Sequence, residues 1–427
     1  MMKKRMLAML LCAGMVVTSL TGCGSDGKES NADSQGSSEP VKLRMMAYNA
    51  ESSRATYLKY LDEKLPEIEI EFEFVSQDNF DNVLNSQLQA GEGPDIIELG
   101  GQTRLLANAN YLLDLTGEEF IGKYADAGIQ PYTVGGKIYA APLQSWYEGI
   151  FYNKKIFADN GIKIPKTWDE FIQIHKTLEE KGIKAQTMGA QSYEPMMKQS
   201  IALVNNEFYS DSANNGFDEK FNAGEVKLAE SWLPAVTEWY KIIEAGCLTQ
   251  DMLGLSYDQA LDEFATEKAA MWECGPWAVE TIKEKNPDLE FGMFPIPGTN
   301  ADKPGWLVGG PGSALGINAK SEHIREALKV LEITATEEAQ RALVKDNAGS
   351  SFVEGVEVDL GDIYTDCEEA FKAGHVYAPW TAVWVNGNAV TEGYGKSLQE
   401  VLAGSKTVEE ALKDADGIND DLRATLE

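Results

Sequence analysis

From Ile68 to Phe74 every second residue is apolar, and the residues between are glutamates: Ile68, Ile70, Phe72 and Phe74 alternate with Glu67, Glu69, Glu71 and Glu73. A period of two describes a strand with one buried and one charged face, and so acidic a face predicts a place near a sheet edge. On both sides the period lengthens. Residues 42–48 form a short apolar strand, and Ser52 or Ser53 is placed to cap a helix carrying Tyr57, Leu61 and Leu65 before Pro66 stops it. Downstream, Phe80, Val83, Leu84 and Leu88 share one helical face, and Gly91 follows as the usual C-terminal glycine. Residues 95–99 supply a third strand. The order β-α-β-α-β predicts a doubly wound α/β sheet.

The same grammar continues along the chain. Thr167-Trp168-Asp169-Glu170 has the form of a capping box opening a helix with Phe171, Ile174 and Leu178 on one face, and Thr407-Val408-Glu409-Glu410 repeats the form. A helical pair spans about residues 322–345. No repeat of solenoid period occurs. The chain beyond Pro40 is longer than one hydrophobic core usually covers, so two domains are expected.

The first forty residues have a different character. Lys3, Lys4 and Arg5 precede an apolar run from Met6 to Leu20, which ends in Leu20-Thr21-Gly22-Cys23. The run is too short for a permanent membrane span and has the layout of a secretory signal. The tetrad resembles a bacterial lipobox, which implies removal of residues 1–22 and lipidation of Cys23. Residues 24–40 hold no aliphatic or aromatic side chain beyond Ala32, so 23–40 reads as a flexible tether. A lipid-anchored protein on the extracytoplasmic face of the cell membrane is expected.

Net charge is −31, and loss of Lys3, Lys4 and Arg5 with the signal makes the chain more acidic still. Such a surface repels nucleic acid and other polyanions and favours solubility. Without Cys12 and Cys23, the three cysteines Cys247, Cys274 and Cys367 are expected as buried thiols, with one disulfide an open alternative. His175, His323 and His375 stand apart, and no H-E-x-x-H, G-x-S-x-G or Walker A spacing occurs. No metal or cofactor is expected. The glycine-rich run from Gly310 to Gly316 leads into a strand rather than a helix, so Gly309 and Gly310 suggest close backbone approach, not phosphate binding.

Five segments carry a family resemblance: Gly135–Phe171, with its exposed aromatic pair Trp146 and Tyr147; Ala90–Ile97 (AGEGPDII); Phe264–Trp277 (FATEKAAMWECGPW); Phe291–Gly298 (FGMFPIPG); and Leu307–Ser321 (LVGGPGSALGINAKS). In this order and spacing the chain resembles the extracellular solute-binding proteins of ABC importers, in the branch that includes maltodextrin-binding proteins. The resemblance implies a two-lobe periplasmic-binding-protein-like fold of type II, with a ligand cleft at a hinge. The first lobe would take residues 41–148 and 310–352, the second 149–309 and 353–427. It further implies a monomer that captures a carbohydrate and hands it to membrane permease subunits, without catalysis. A surface carbohydrate-active enzyme and a sensory or adhesive glycan-binding lipoprotein remain the alternatives.

A sugar ring offers a face of C–H bonds to an aromatic π face, while its hydroxyls need fixed polar partners. Trp146, Tyr147, Tyr193, Trp277, Trp380 and Trp384 are the aromatic candidates, with core packing the competing reading for each. Gly275-Pro276-Trp277 and the Trp380/Trp384 pair match family positions that stack on sugar. Trp168, Trp232 and Trp239 fall on helix patterns and belong to the core. Polar partners should sit at strand ends: Asn49 and Glu51 after the first strand, Gln102 and Thr103 after the third. For Asn49 a helix-capping role competes. Gln102 stands where carbohydrate binders often carry an acidic residue, and the preceding Glu98-Leu99-Gly100-Gly101 lacks an aromatic.

Overall fold

The computed structural model describes residues 39–346, 349–357 and 360–424. The expected signal segment, Cys23 and all of the expected tether except residues 39 and 40 lie outside the described residues. The strands, in chain order, are β1 Val41–Ala47, β2 Ile68–Phe74, β3 Ile96–Leu99, β4 Thr133–Val134, β5 Lys137–Ile138, β6 Ala141–Pro142, β7 Ser145–Asn153, β8 Lys184–Thr187, β9 Ala269–Cys274, β10 Phe291–Phe294, β11 Val308–Pro311 and β12 Ala314–Ile317. They build a two-lobe α/β fold around two mixed sheets.

The first sheet runs β2-β1-β3-β12-β6, with β1 parallel to both β2 and β3 and β12 antiparallel. The glutamate-faced strand is at its edge, where Lys42 pairs with Glu69 (3.2 Å) and Glu71 (2.8 Å) and Arg44 with Glu73 (2.8 Å). Apolar clusters lie on both faces. Leu43, Met45, Ile96 and Ile317 pack with Tyr57, Leu61 and Leu331 on one side, while Met46, Ile97 and Leu99 pack with Phe80, Leu84 and Leu88 on the other. The helix Gln77–Ala90 closes on Gly91, which sits at φ +79° as a C-terminal glycine should. The helix Ala55–Lys64 is not capped by Ser52 or Ser53. Ser53 Oγ bonds back to Ala50 O, and the first helical amides, of Thr56 and Tyr57, donate to the Asp346 carboxylate at 2.9 Å each. A residue nearly three hundred positions away fills the role assigned to a local serine.

The second sheet runs β10-β7-β9-β8, with β11 also paired to β7. The long β7 takes β11 beside Ser145–Glu148 and β10 beside Ile150–Asn153. Helix Trp168–Glu179 buries Phe171, Ile174 and Leu178 as its spacing predicts, and Trp168, Trp232 and Trp239 are core residues. At Thr167 only half of the capping box forms: Oγ1 accepts from Glu170 N (3.2 Å), but the Glu170 carboxylate reaches Lys166 N (2.7 Å). At Thr407 both arms are made, 3.2 and 2.8 Å. Cys247, Cys274 and Cys367 are buried free thiols. No helix among the described residues is long and apolar enough to cross a membrane.

The chain changes sheets between β6 and β7 and again between β11 and β12. The two crossings run side by side, with Leu143 N donating to Ser313 O (2.9 Å) and Gly312 N to Gln144 O (3.0 Å). A third strand of chain joins them where Ser350 N donates to Ser145 Oγ (2.7 Å) and Ser145 N to Ser350 O (2.9 Å). The approach is too close for side chains: a Cβ on Gly349 would lie 2.2 Å from Ser145 O and one on Gly312 2.7 Å from Gln144 O.

Candidate ligand site

Because β1 and β3 are parallel and β12 starts opposite the end of β3 (Ala314 beside Leu99), the carboxyl ends of β1 and β3 meet the crossings. There a buried polar network forms. Glu98, 1% exposed, accepts from Arg54 (2.8 Å), Ser313 Oγ (2.5 Å), Asn49 Nδ2 (2.7 Å) and Asn49 N (3.2 Å). Burial alone would raise this carboxyl's pKa; the Arg54 charge and the Ser313 and Asn49 hydrogen bonds outweigh it and hold the pKa below its usual value. Asn49 therefore ties β1 to β3 and caps no helix. Gln102 Oε1 accepts from Gly100 N (3.1 Å), and Thr103, 1% exposed, donates its hydroxyl to Gly100 O (2.7 Å), so both fix the loop after β3. Glu51 is exposed. A Cβ on Gly101 would sit 3.3 Å from Asn388 Nδ2 on the helix Gly387–Leu402, so the loop after β3 and this helix come close.

The second sheet brings its own group together. Gly149 of β7 lies opposite Cys274, the last residue of β9, so the start of β7 and the segment after β9 share one edge. The half-buried Trp146 ring lies 5.9 Å from that of Trp380, and Lys198 Nζ lies 5.4 Å from the Trp146 ring centre. Lys198, on the helix Glu194–Val204, binds Glu148 (2.6 Å) and Glu194 (2.8 Å). Trp277 and Tyr257 are each 43% exposed. Trp277 folds over Gly275, where a Cβ would come within 2.1 Å of its ring. Tyr193 is half-buried at the start of the Lys198 helix.

Behind this wall is a poorly satisfied acid pair. Glu273, 4% exposed, makes no close hydrogen bond through either carboxylate oxygen; Gln199 and Lys198 lie near enough to favour its charge but do not offset burial. Its burial, and then the nearby Glu148, push its pKa well above the usual range. Glu148 is also raised, since burial outweighs Lys198. Lys198 is raised in turn: burial would lower it, and Glu148 and Glu194 more than compensate.

Four candidates hold other positions. Tyr147 is wholly buried, edge-on to Tyr364 (5.7 Å) and Phe371 (4.9 Å), which corrects the expectation of an exposed pair: neighbours on a strand point to opposite faces. Trp384, 7% exposed, packs on Phe221 (4.7 Å) and Trp232 (5.4 Å) and donates its indole N–H to Asp218 (2.7 Å). Gly309 makes the expected close backbone approach, 2.2 Å from a Cβ to Trp146 O, with Gly310 next to it opposite Trp146. Sequence reading singled out neither Lys198, Glu194 and Tyr257 nor the Arg54–Glu98 pair. Glu273 did carry a signal: a lone acid in the otherwise apolar strand Ala-Ala-Met-Trp-Glu-Cys. Among the described residues no His, Cys, Asp and Glu cluster is placed to hold a metal ion. Two surface cavities, about 470 and 440 Å³, include none of the candidates.

Residues 49–341 match the family model of the bacterial extracellular solute-binding proteins. The chain belongs to that family. This solute-binding protein is similar to the multiple sugar-binding protein of Streptococcus mutans, 29% identical over 285 residues that cover 65% of this chain and 67% of that one. It is also similar to the diacetylchitobiose binding protein DasA of Streptomyces coelicolor, 29% identical over 359 residues and 81% of each chain. Among solved structures, RafE from Streptococcus pneumoniae superposes with a TM-score of 0.72 over 91% of this chain and 100% of that one, at 22% identity. The likeness to RafE carries the fold.

Proposed function

We propose that this solute-binding protein is the lipid-anchored receptor of an ABC importer, which captures a mono- or oligosaccharide in the cleft and delivers it to a membrane permease. One observation carries the reading: Trp146 and Trp380 lie side by side next to the charged set Glu148–Lys198–Glu194, and the exposed rings of Trp277 and Tyr257 gather at the end of β9, against Gly275 and Cys274. Flat apolar faces next to fixed donors and acceptors are what a sugar requires. Glu51 and Gln102 supply the opposing lip, which Asn49 and Thr103 fix from within, and Tyr193 stands at the rim; Gly309 and Gly310 keep the crossing close-packed. The relatives named for multiple sugars and diacetylchitobiose, and the structure of RafE in complex with raffinose, support the ligand class.

We take the lobes as 41–148 with 310–352 and 149–309 with 353–427; at the first boundary Ser145–Glu148 already pair with β11, so the side chains of Trp146 and Glu148 are counted with the second sheet. A ligand that touches both lobes only when they close shifts the population toward the closed form. Lipidation at Cys23, followed by a tether, keeps the monomer near its permease at high effective concentration. A thermal-shift screen with mono- and oligosaccharides tests the ligand class, because a sugar at 100 times its Kd stabilises by about 2.7 kcal/mol. A sugar-specific shift supports the reading; turnover of that sugar at substrate excess would replace it with an enzyme.

A further inference from the structure

Trp380 is half-buried, belongs to the short helix Pro379–Ala382, and packs at the margin of the second lobe's core beside Trp146. The segment around it is an arch, residues 377–385, held at both ends by the helix Phe217–Asn222. Asp218 does most of the holding. Its Oδ1 accepts from Trp384 Nε1 (2.7 Å) and Tyr209 Oη (2.5 Å), and its Oδ2 accepts a short bond from Tyr377 Oη. Asn222, one turn on, donates to Val383 O and accepts from Val385 N, both at 2.9 Å. Asn205 Nδ2 donates to Tyr377 O at 2.9 Å.

One carboxylate thus bonds the residue three before Trp380 and the residue four after it. Asp218 is itself 5% exposed; burial raises its pKa above the usual carboxylate value, and the bonds from Tyr209, Tyr377 and Trp384 oppose that rise by replacing water. The far side of the arch is equally constrained. A Cβ on Gly387 would lie 2.3 Å from Trp380 O, and the chain entering the arch is bridged to Leu307, the residue before β11, with Leu307 N donating to His375 O (2.9 Å) and Tyr377 N to Leu307 O (3.2 Å).

We propose that Asp218 is a positioning residue for ligand capture: it touches no sugar, and by binding Tyr377, Trp384 and Tyr209 together it sets the Trp380 ring at its angle to Trp146. This rests on the reading of Trp380 as a sugar-stacking residue. It makes Trp384 part of the support of the aromatic wall. A carboxylate suits the task because it accepts several bonds at once; an asparagine in its place presents a single acceptor oxygen and an amide that faces three donors.

The test pairs two readouts on the full chain. In protein labelled with 5-fluorotryptophan and free of sugar, Asp218→Asn should shift or broaden the Trp380 fluorine resonance and leave that of Trp277 unchanged. A Trp380 resonance that is unmoved overturns the proposal. Affinity is then measured for a defined pool of glucose-, galactose- and N-acetylglucosamine-based di- and trisaccharides. Asp218→Asn should weaken binding about five- to twentyfold, and the weakening should vanish in the Trp380→Ala background. An equal loss in both backgrounds would make Asp218 a general scaffold residue and refute the proposal. If Trp380→Ala itself leaves affinity intact, the sugar-stacking reading of Trp380 fails first, and the role of Asp218 with it. Should Asp218→Asn fold poorly, Trp384→Phe removes one of the three donors while keeping an aromatic ring at the position, and the same pattern is expected at smaller amplitude.

Discussion

Each lobe buries a glutamate close to the crossings, and the two are treated in opposite ways. Glu98 in the first lobe is met by an arginine, a serine and both nitrogens of Asn49, and its pKa is lowered. Glu273 in the second makes no close hydrogen bond through either oxygen, has Glu148 for a neighbour, and its pKa is raised. The difference lies in how many donors each fold brings. Glu98 faces Ser313, a residue of the crossing itself, so its bonds lock the hinge end of the first sheet to β1 and β3. Glu273 shares one lysine with two other acids, and that lysine is committed to Glu148 and Glu194. A saturated network makes a rigid floor. An unsaturated one beside a half-exposed aromatic wall marks the side of the cleft where polar capacity remains.

The largest effect should come from breaking the saturated side. Arg54→Met leaves Glu98 buried and uncompensated and should cost about 3–5 kcal/mol; denaturant unfolding measures it, and a loss below about 1 kcal/mol would erase the contrast. The second test concerns the wall. Trp277→Ala should weaken sugar affinity about 10–100-fold, or roughly 1.4–2.8 kcal/mol, while the ligand-free melting temperature stays nearly constant, since the ring is 43% exposed. A large loss of stability with affinity intact would return Trp277 to the core.

The third test uses pH. Glu273 has a folded-state pKa above its unfolded value, so the native protein holds more protons than the unfolded chain, and its contribution to stability falls as pH rises above about 4.3. Glu98 has the reverse sign: its stabilisation is present above that pH and is lost as pH falls through its lowered value. Glu273→Gln should therefore flatten the loss of stability toward high pH and leave the variant more stable than the parent at pH 8. No change in the pH profile would mean that Glu273 finds partners in solution. Gly275→Ala should have the smallest effect on stability yet reduce affinity several-fold, because the added methyl displaces the Trp277 ring; calorimetry distinguishes this from a loss of fold.

Most of the first lobe was legible because its signals are local. The Ile-Glu alternation placed β2 at an edge, and Gly91 ended its helix. What escaped was held at long range: Asp346 caps a helix that no nearby residue caps, and Arg54 gives no hint in sequence of meeting Glu98. In the second lobe the aromatic candidates were named by residue type. Type could not separate Trp146 from Tyr147, which depends on which face of β7 each occupies, nor Trp380 from Trp384, which depends on Asp218. Lys198 was invisible because a lysine on a helix normally points to solvent. This one lies over an indole between two acids.

The central claim is that the aromatic wall of the second lobe, with its charged neighbours, holds a sugar without transforming it. Calorimetric titration of an oligosaccharide panel into the purified protein, with the sugar recovered afterwards, addresses this directly. The account predicts saturable binding of one sugar per chain, lost in Trp277→Ala, with the sugar recovered intact. Binding unaffected by Trp277→Ala, or recovery of cleaved sugar, would contradict it.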